Sequence, residues 1–168
     1  MKKQILLSLL LALVGVLAYG QERPAWQSVE LTNAATGETF TLGGFEGQTV
    51  FVEPMATWCS NCQTQLGNVD AAMAQAGENA VFVALSVEGD LADEALAEYA
   101  ERNGFDMIFA VTPTELLQGL VDEFGRGITS PPSTPHFLIR GDGSTTGLTT
   151  GRKSTEAVLE LIAAAQAE

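Results

Sequence analysis

The sequence predicts one α/β domain built on a mixed sheet, with helices on both faces and a β-hairpin ahead of it. Three features carry that expectation. Short β-branched and aromatic runs, "QTVFVEPM" at 48–55, "NAVFVALSV" at 79–87 and "MIFAV" at 107–111, alternate with segments of helical period. The second run is almost continuously apolar, as a strand covered on both faces must be. The chain closes on two more strand-like runs and a helical segment, which adds antiparallel pairing to a parallel centre.

Taken in order, "SVELTNAATGETFTL" (28–42) reads as two short strands around a turn marked by Gly37, and "GGFEG" (43–47) as a loop. The run at 48–55 is a strand, although Pro54 lacks a donor N–H and predicts a bulge or an early strand end there. From Cys59 to about Gln75 the pattern turns helical, with Leu66, Val69 or Asp70, and Met73 near a 3.6-residue period. "GDLADEALAEYAERNGF" (89–105) is an amphipathic helix with Asp90 as candidate cap and Gly104 as its stop. "PTELLQGLVDEFG" (113–125) starts a helix with Pro113 and ends it at Gly125. "HFLIR" and "STTGLTT", split by "GDG", predict an antiparallel hairpin. "STEAVLELIAAAQ" (154–166) predicts a final helix opened by a capping box of Ser154 or Thr155 with Glu156.

Residues 1–20 are of a different character. Lys2 and Lys3 precede an apolar run from Ile5 to Ala18, and Ala18-Tyr19-Gly20 sets small residues where a signal peptidase cuts. The run is shorter than the roughly 20 residues a membrane span needs. The division is therefore a signal peptide at 1–20 and one domain at 21–168, giving an exported, periplasmic or extracytoplasmic protein; an uncleaved anchor is the alternative. No cysteine lies near the cut, which excludes a lipoprotein anchor. Removing the leader takes two lysines and leaves six basic residues against 21 acidic ones. That balance excludes nucleic acid and anionic membrane surfaces as partners and serves solubility.

The chain has two cysteines, Cys59 and Cys62, in "MATWCSNCQTQL" (55–66). A CxxC at the mouth of a helix that follows a buried strand has a specific chemical use. The first sulfur sits where unpaired N–H groups and the helix dipole stabilise a thiolate. That thiolate attacks a client disulfide, and the second cysteine, one turn on, resolves the mixed disulfide. Cys59 is the expected nucleophile and Cys62 the resolver. A zinc clip needs four ligands, and only His136 could join the two thiols without carboxylates. A purely structural bridge would close too small a loop to stabilise the chain much.

"FVEPMATWCSNC", followed at a distance by "STPHFLIRGDG", resembles the thioredoxin-like superfamily, and within it the TlpA/ResA-like exported thiol–disulfide oxidoreductases. The resemblance spans about residues 28–167. It implies a thioredoxin-like fold and a reductase or electron relay without cofactor or metal, expected as a monomer. Its clients would be proteins with cysteines or disulfides, such as apocytochrome c or copper-site proteins, served by a membrane electron donor. Residue by residue, it implies that Trp58 shields the disulfide. It makes Pro135 the cis-proline that leaves backbone groups free for a client strand, with Thr134 before it. Glu53, six residues before Cys59, takes the place of a buried acid that accepts the Cys62 proton; a solvent-facing strand end is the alternative. Ser60 and Asn61 depart from the Gly-Pro of thioredoxins and leave the direction of electron flow open. His136 is expected near the disulfide, stabilising the thiolate or reading substrate, or at the surface of a strand start. The alternative function resembles a Sco-like copper-delivery protein using Cys59, Cys62 and His136, although Sco proteins space their cysteines by three residues. A peroxiredoxin is weaker still, because "PMATWC" matches its motif only with shortened spacing.

Overall fold

A computed structural model describes residues 23–167; the expected signal peptide lies outside them. No helix among the described residues is long and apolar enough to cross a membrane. A small antiparallel pair comes first, β1 (Glu30–Thr32) with β2 (Thr39–Thr41), turning through Gly37 at φ 73°. Then β3 (Thr49–Met55), α1 (Ser60–Ala76), β4 (Ala80–Ser86), α2 (Asp93–Asn103), β5 (Ile108–Val111) and α3 (Thr114–Phe124) alternate, before β6 (Phe137–Ile139) and α4 (Thr155–Gln166). The central sheet is ordered β5-β4-β3-β6. Its β3/β4 and β4/β5 pairs are parallel and β3/β6 is antiparallel, the mixed sheet the sequence predicts.

Alternation along β3 builds two cores. Phe51 and Met55 face Leu66 and Val69 of α1, Leu96 of α2 and Val158 of α4. Val50 and Val52 face Leu116 and Leu120 of α3 and, beyond them, Trp26 and Leu31 of the N-terminal segment. Trp26 meets Phe137 edge-on at 5.8 Å and Phe124 at 6.1 Å, so the leading segment is clamped to β6 and α3. Burying an indole withdraws roughly 150–250 Å², worth about 4–6 kcal/mol at about 25 cal/mol per Å².

Pro54 neither bulges nor ends β3, which continues to Met55. The Thr49 N–H reaches the Asn79 carbonyl and the Met55 carbonyl receives the Val87 N–H. Odd-numbered residues of β3 therefore turn their backbone groups to β4, and even-numbered ones to β6. The β3/β6 pairing stops at Val52↔Phe137. Pro54 lacks its N–H on a side where no ladder needs it, and the continued register would face it with Pro135, another residue without a donor.

Other differences are local. Ala92, not Asp90, caps α2, with no side-chain bond, while Gly104 stops it in the left-handed region. Ser154 caps α4 by accepting the Ala157 N–H at 3.3 Å. That sets Glu156 one position too early to complete a reciprocal box. The final hairpin has only one strand arm. Residues 144–149 pair with β6 through isolated bridges, Ile139↔Thr145 and His136↔Thr149. One side-chain substitution enters this pairing: the Leu138 N–H donates to the Thr146 hydroxyl, while the Thr146 N–H returns to the Leu138 carbonyl.

Candidate functional site

β3 delivers the chain to residues 56–58, and α1 starts immediately after Cys59. Cys59 is itself the helix N-cap: its backbone is extended and its sulfur accepts the Cys62 N–H at 3.1 Å. A sulfur in this position takes the partial positive charge of the helix end, the environment that favours thiolate over thiol. Cys59 and Cys62 are bridged as a disulfide, with Cα atoms 5.2 Å apart. Both are buried. The Cys62 sulfur lies 3.2 Å from the Pro131 carbonyl oxygen, which can accept its hydrogen once the bridge is reduced.

Two supports hold this geometry that the sequence did not disclose. Glu88, just past β4, grips the loop before the cysteines. It accepts the Thr57 N–H at 2.6 Å and the Thr57 hydroxyl at 3.1 Å, while the Ser86 hydroxyl donates to the same carboxylate at 3.3 Å. On the other wall, the short 3-10 turn Pro131–Ser133 packs against α1. There the Asn61 amide donates to the Pro132 carbonyl at 3.1 Å, so Asn61 ties the cysteine helix to the proline turn. The sequence singled out Asn61 as a departure from the Gly-Pro of thioredoxins without disclosing this bond, and Glu88 carried no local signal at all.

The cis bond expected at Pro135 is not found: no described peptide bond is cis. The chain reverses one residue earlier, because Thr134 adopts the left-handed region at φ 46° and ψ 60°, the sole non-glycine described residue at positive φ. With Thr134 turned this way, an ordinary trans bond carries the chain into β6. The Thr134 backbone is used internally, its N–H donating to the Pro131 carbonyl at 2.8 Å and its carbonyl lying 3.0 Å from His136 Nδ1. Its N–H is thus engaged internally, while its carbonyl keeps one acceptor position. Its hydroxyl is buried without a partner.

Glu53 lies between Phe51 and Met55 on the face of β3 that packs against α1, 1% exposed. Neither carboxylate oxygen has a hydrogen-bond partner. Burial pushes its pKa well above the usual carboxylate range. His136 is fully buried rather than at the surface, and its ring stacks on Phe51 at 5.4 Å. Burial lowers its pKa, the Thr134 carbonyl opposes that shift, and the Lys153 charge adds to it. Trp58 is the opposite case. It is 66% exposed, the one large apolar side chain so placed among the described residues, and it immediately precedes Cys59. Among the described residues no group of three His, Cys, Asp or Glu side chains is placed to hold a metal ion, with both cysteines bridged.

No family model matches the chain, and no curated protein matches its sequence. Solved structures do match its shape. A thiol:disulfide interchange protein of the thioredoxin family from Chlorobium tepidum superposes with TM-score 0.71 at 20% identity, covering 82% of this chain and 92% of that one. A secreted Mycobacterium tuberculosis disulfide oxidoreductase homologous to E. coli DsbE gives 0.65 at 12% identity, covering 83% and 98%. BsSco, of the Sco family of cytochrome c oxidase assembly proteins, gives 0.67 at 12% identity, covering 82% and 90%. The chain has the thioredoxin-like fold, with a disulfide-bonded CxxC at the head of the helix that follows its central strand.

Proposed function

We propose that this protein is an exported thiol–disulfide oxidoreductase that reduces client disulfides. The observation that carries the reading is the bridged pair with Cys59 as the N-cap of α1. Reduced, the Cys59 thiolate attacks a client disulfide sulfur, forming a mixed disulfide and expelling a client thiolate. Cys62 then attacks the Cys59 sulfur, the mixed bond breaks, and the second client thiol leaves. Glu53 accepts the Cys62 proton, supported by its burial and its place under α1. Trp58 and the exposed Ser60, Asn61 and Pro132 form an uncharged rim for the client. Export rests on the leader at 1–20, and a membrane electron donor would restore the thiols. The resemblance supports apocytochrome c or copper-site proteins as clients.

Trapping tests the roles. Cys62→Ser should accumulate mixed disulfides with clients, visible as adducts on non-reducing gels, and Cys59→Ser should accumulate none. The reverse pattern would make Cys62 the nucleophile, and adducts with neither variant would remove the oxidoreductase reading.

A further inference from the structure

Two buried residues under the cysteine helix leave polar atoms without partners: both Glu53 oxygens and His136 Nε2. Their needs are complementary. His136 Nδ1 lies 3.0 Å from the Thr134 carbonyl, which can only accept, so Nδ1 carries the hydrogen and Nε2 presents a lone pair. A buried carboxyl that stays protonated has one O–H to donate and one oxygen to accept with. The β3/β6 ladder ends at Val52↔Phe137, and one residue further the same register would bring Glu53 opposite His136, the two not hydrogen-bonded to each other in this structure. Opposed residues on a shared face have Cβ atoms about 4.5–5.5 Å apart. The face is shared, because His136 stacks on Phe51 and Glu53 follows Phe51 by two.

We propose that Glu53 and His136 act as one relay for the Cys62 proton, Glu53 passing it on and His136 holding it. The proposal rests on the oxidoreductase reading and adds a second residue to its resolving step. The need for that residue is chemical. A carboxyl that already holds a proton can take another on one oxygen only by releasing its own from the other. In the relay, the Cys62 S–H proton passes to one Glu53 oxygen while the Glu53 O–H proton passes to His136 Nε2. The Cys62 thiolate forms its bond to the Cys59 sulfur, and the electron pair of the broken mixed disulfide leaves on the client sulfur. Water protonates that thiolate and takes the His136 proton. His136 acts through Glu53 and is therefore a positioning residue.

The other ionisable groups around the pair are named by position. Cys62 belongs to α1, and Tyr99 of α2 has a buried hydroxyl without a partner, raised in pKa by burial, then Glu53 and Glu88. Lys153 precedes α4 and acts on His136. The α4 residues facing this core, Val158 and Ile162, are apolar.

The test uses the reduced full chain and the aromatic disulfide 5,5′-dithiobis(2-nitrobenzoate) in single turnover. The first thionitrobenzoate released reports attack by Cys59, and the second reports resolution by Cys62. His136→Asn should slow the second release at least tenfold relative to the first, and move its pH profile upward toward that of an unassisted thiol. A packing role alone would leave that profile in place, and an unchanged ratio and profile would overturn the relay. If Glu53→Gln slows resolution and His136→Asn does not, Glu53 acts alone and the oxidoreductase reading stands. If the wild-type chain releases no thionitrobenzoate, that reading itself falls. A measurement on the wild-type protein guards against a misfolded variant. His136 is the single histidine, so its ring nitrogens give an unambiguous ¹⁵N spectrum. The relay requires the Nδ1–H tautomer, with an Nε2 signal that shifts in Glu53→Gln. The other tautomer, or free titration near ~6.5, would sink it.

Discussion

Glu53 enters the unfolded chain as an ordinary carboxylate and the folded one as a buried acid with both oxygens unpartnered. Its raised pKa means the native state holds a proton that the unfolded state has lost above about pH 4.3. Its stabilising contribution is complete below that pH and declines as pH rises through the folded pKa. His136 runs the other way: its lowered pKa makes its contribution complete above about pH 6.5 and lost as pH falls. Glu53→Gln should therefore gain on the wild type as pH rises from about 4.3, by up to about 1.4 kcal/mol per pH unit until Glu53 ionises in the fold. Urea unfolding of the oxidised protein across that range measures the difference, and parallel curves would mean Glu53 is not buried as an acid. At this scale the sequence was legible where chemistry is local. The CxxC spacing and a carboxylate on an apolar strand were visible. The Thr134 turn was not, because left-handed backbone at a threonine has no compositional sign.

Among the elements, α1 depends on how its first residue is presented, and that presentation comes from β4. Glu88 closes two bonds to Thr57 across the gap between the end of β4 and the cysteine loop. Glu88→Ala leaves the part-buried Thr57 amide without its acceptor, which should cost about 1–3 kcal/mol. Amide exchange at Thr57 should quicken while amides of α3, on the opposite face, keep their protection. Equal acceleration in α3 would make the effect global and not a loosening of the loop. The strands and helices were readable from their periods. The second arm of the last hairpin was not, since Gly147 interrupts it and its pairing is completed by the Thr146 hydroxyl. Pro54 misled for a related reason: a proline breaks a ladder only where a neighbour requires its N–H, and that depends on where β6 stops.

The whole molecule is held as two cores on one sheet, and the N-terminal segment belongs to the core without the cysteines. Gly119 of α3 is the contact point: a Cβ there would come 2.6 Å from the Trp26 Cβ, a group with no freedom to swing aside. Gly119→Ala gains helix propensity of up to about 1 kcal/mol, but overpacking of this kind costs about 1–3 kcal/mol. The overlap should win, with a net loss of up to about 2 kcal/mol. Gly67→Ala in α1, where nothing lies within 4 Å, should instead stabilise by roughly 0.5–1 kcal/mol. Denaturant titrations of the two variants should show opposite signs; a stabilised Gly119→Ala would mean that Trp26 is not seated against α3. The alternation of elements foretold this layering, but which glycine the indole rests on is a tertiary fact.

The same two cores leave the chain with two tryptophans in unlike surroundings, Trp26 enclosed and Trp58 in water next to the sulfur bridge. An excited indole loses its energy readily to a nearby disulfide and less readily to a pair of thiols. Light emitted by Trp58 should thus rise when the cysteines are reduced, while Trp26, fixed against aromatic rings on the far face, should supply a steady baseline. The molecule would then report the state of its own cysteine bridge, readable without a dye, a partner or a substitution.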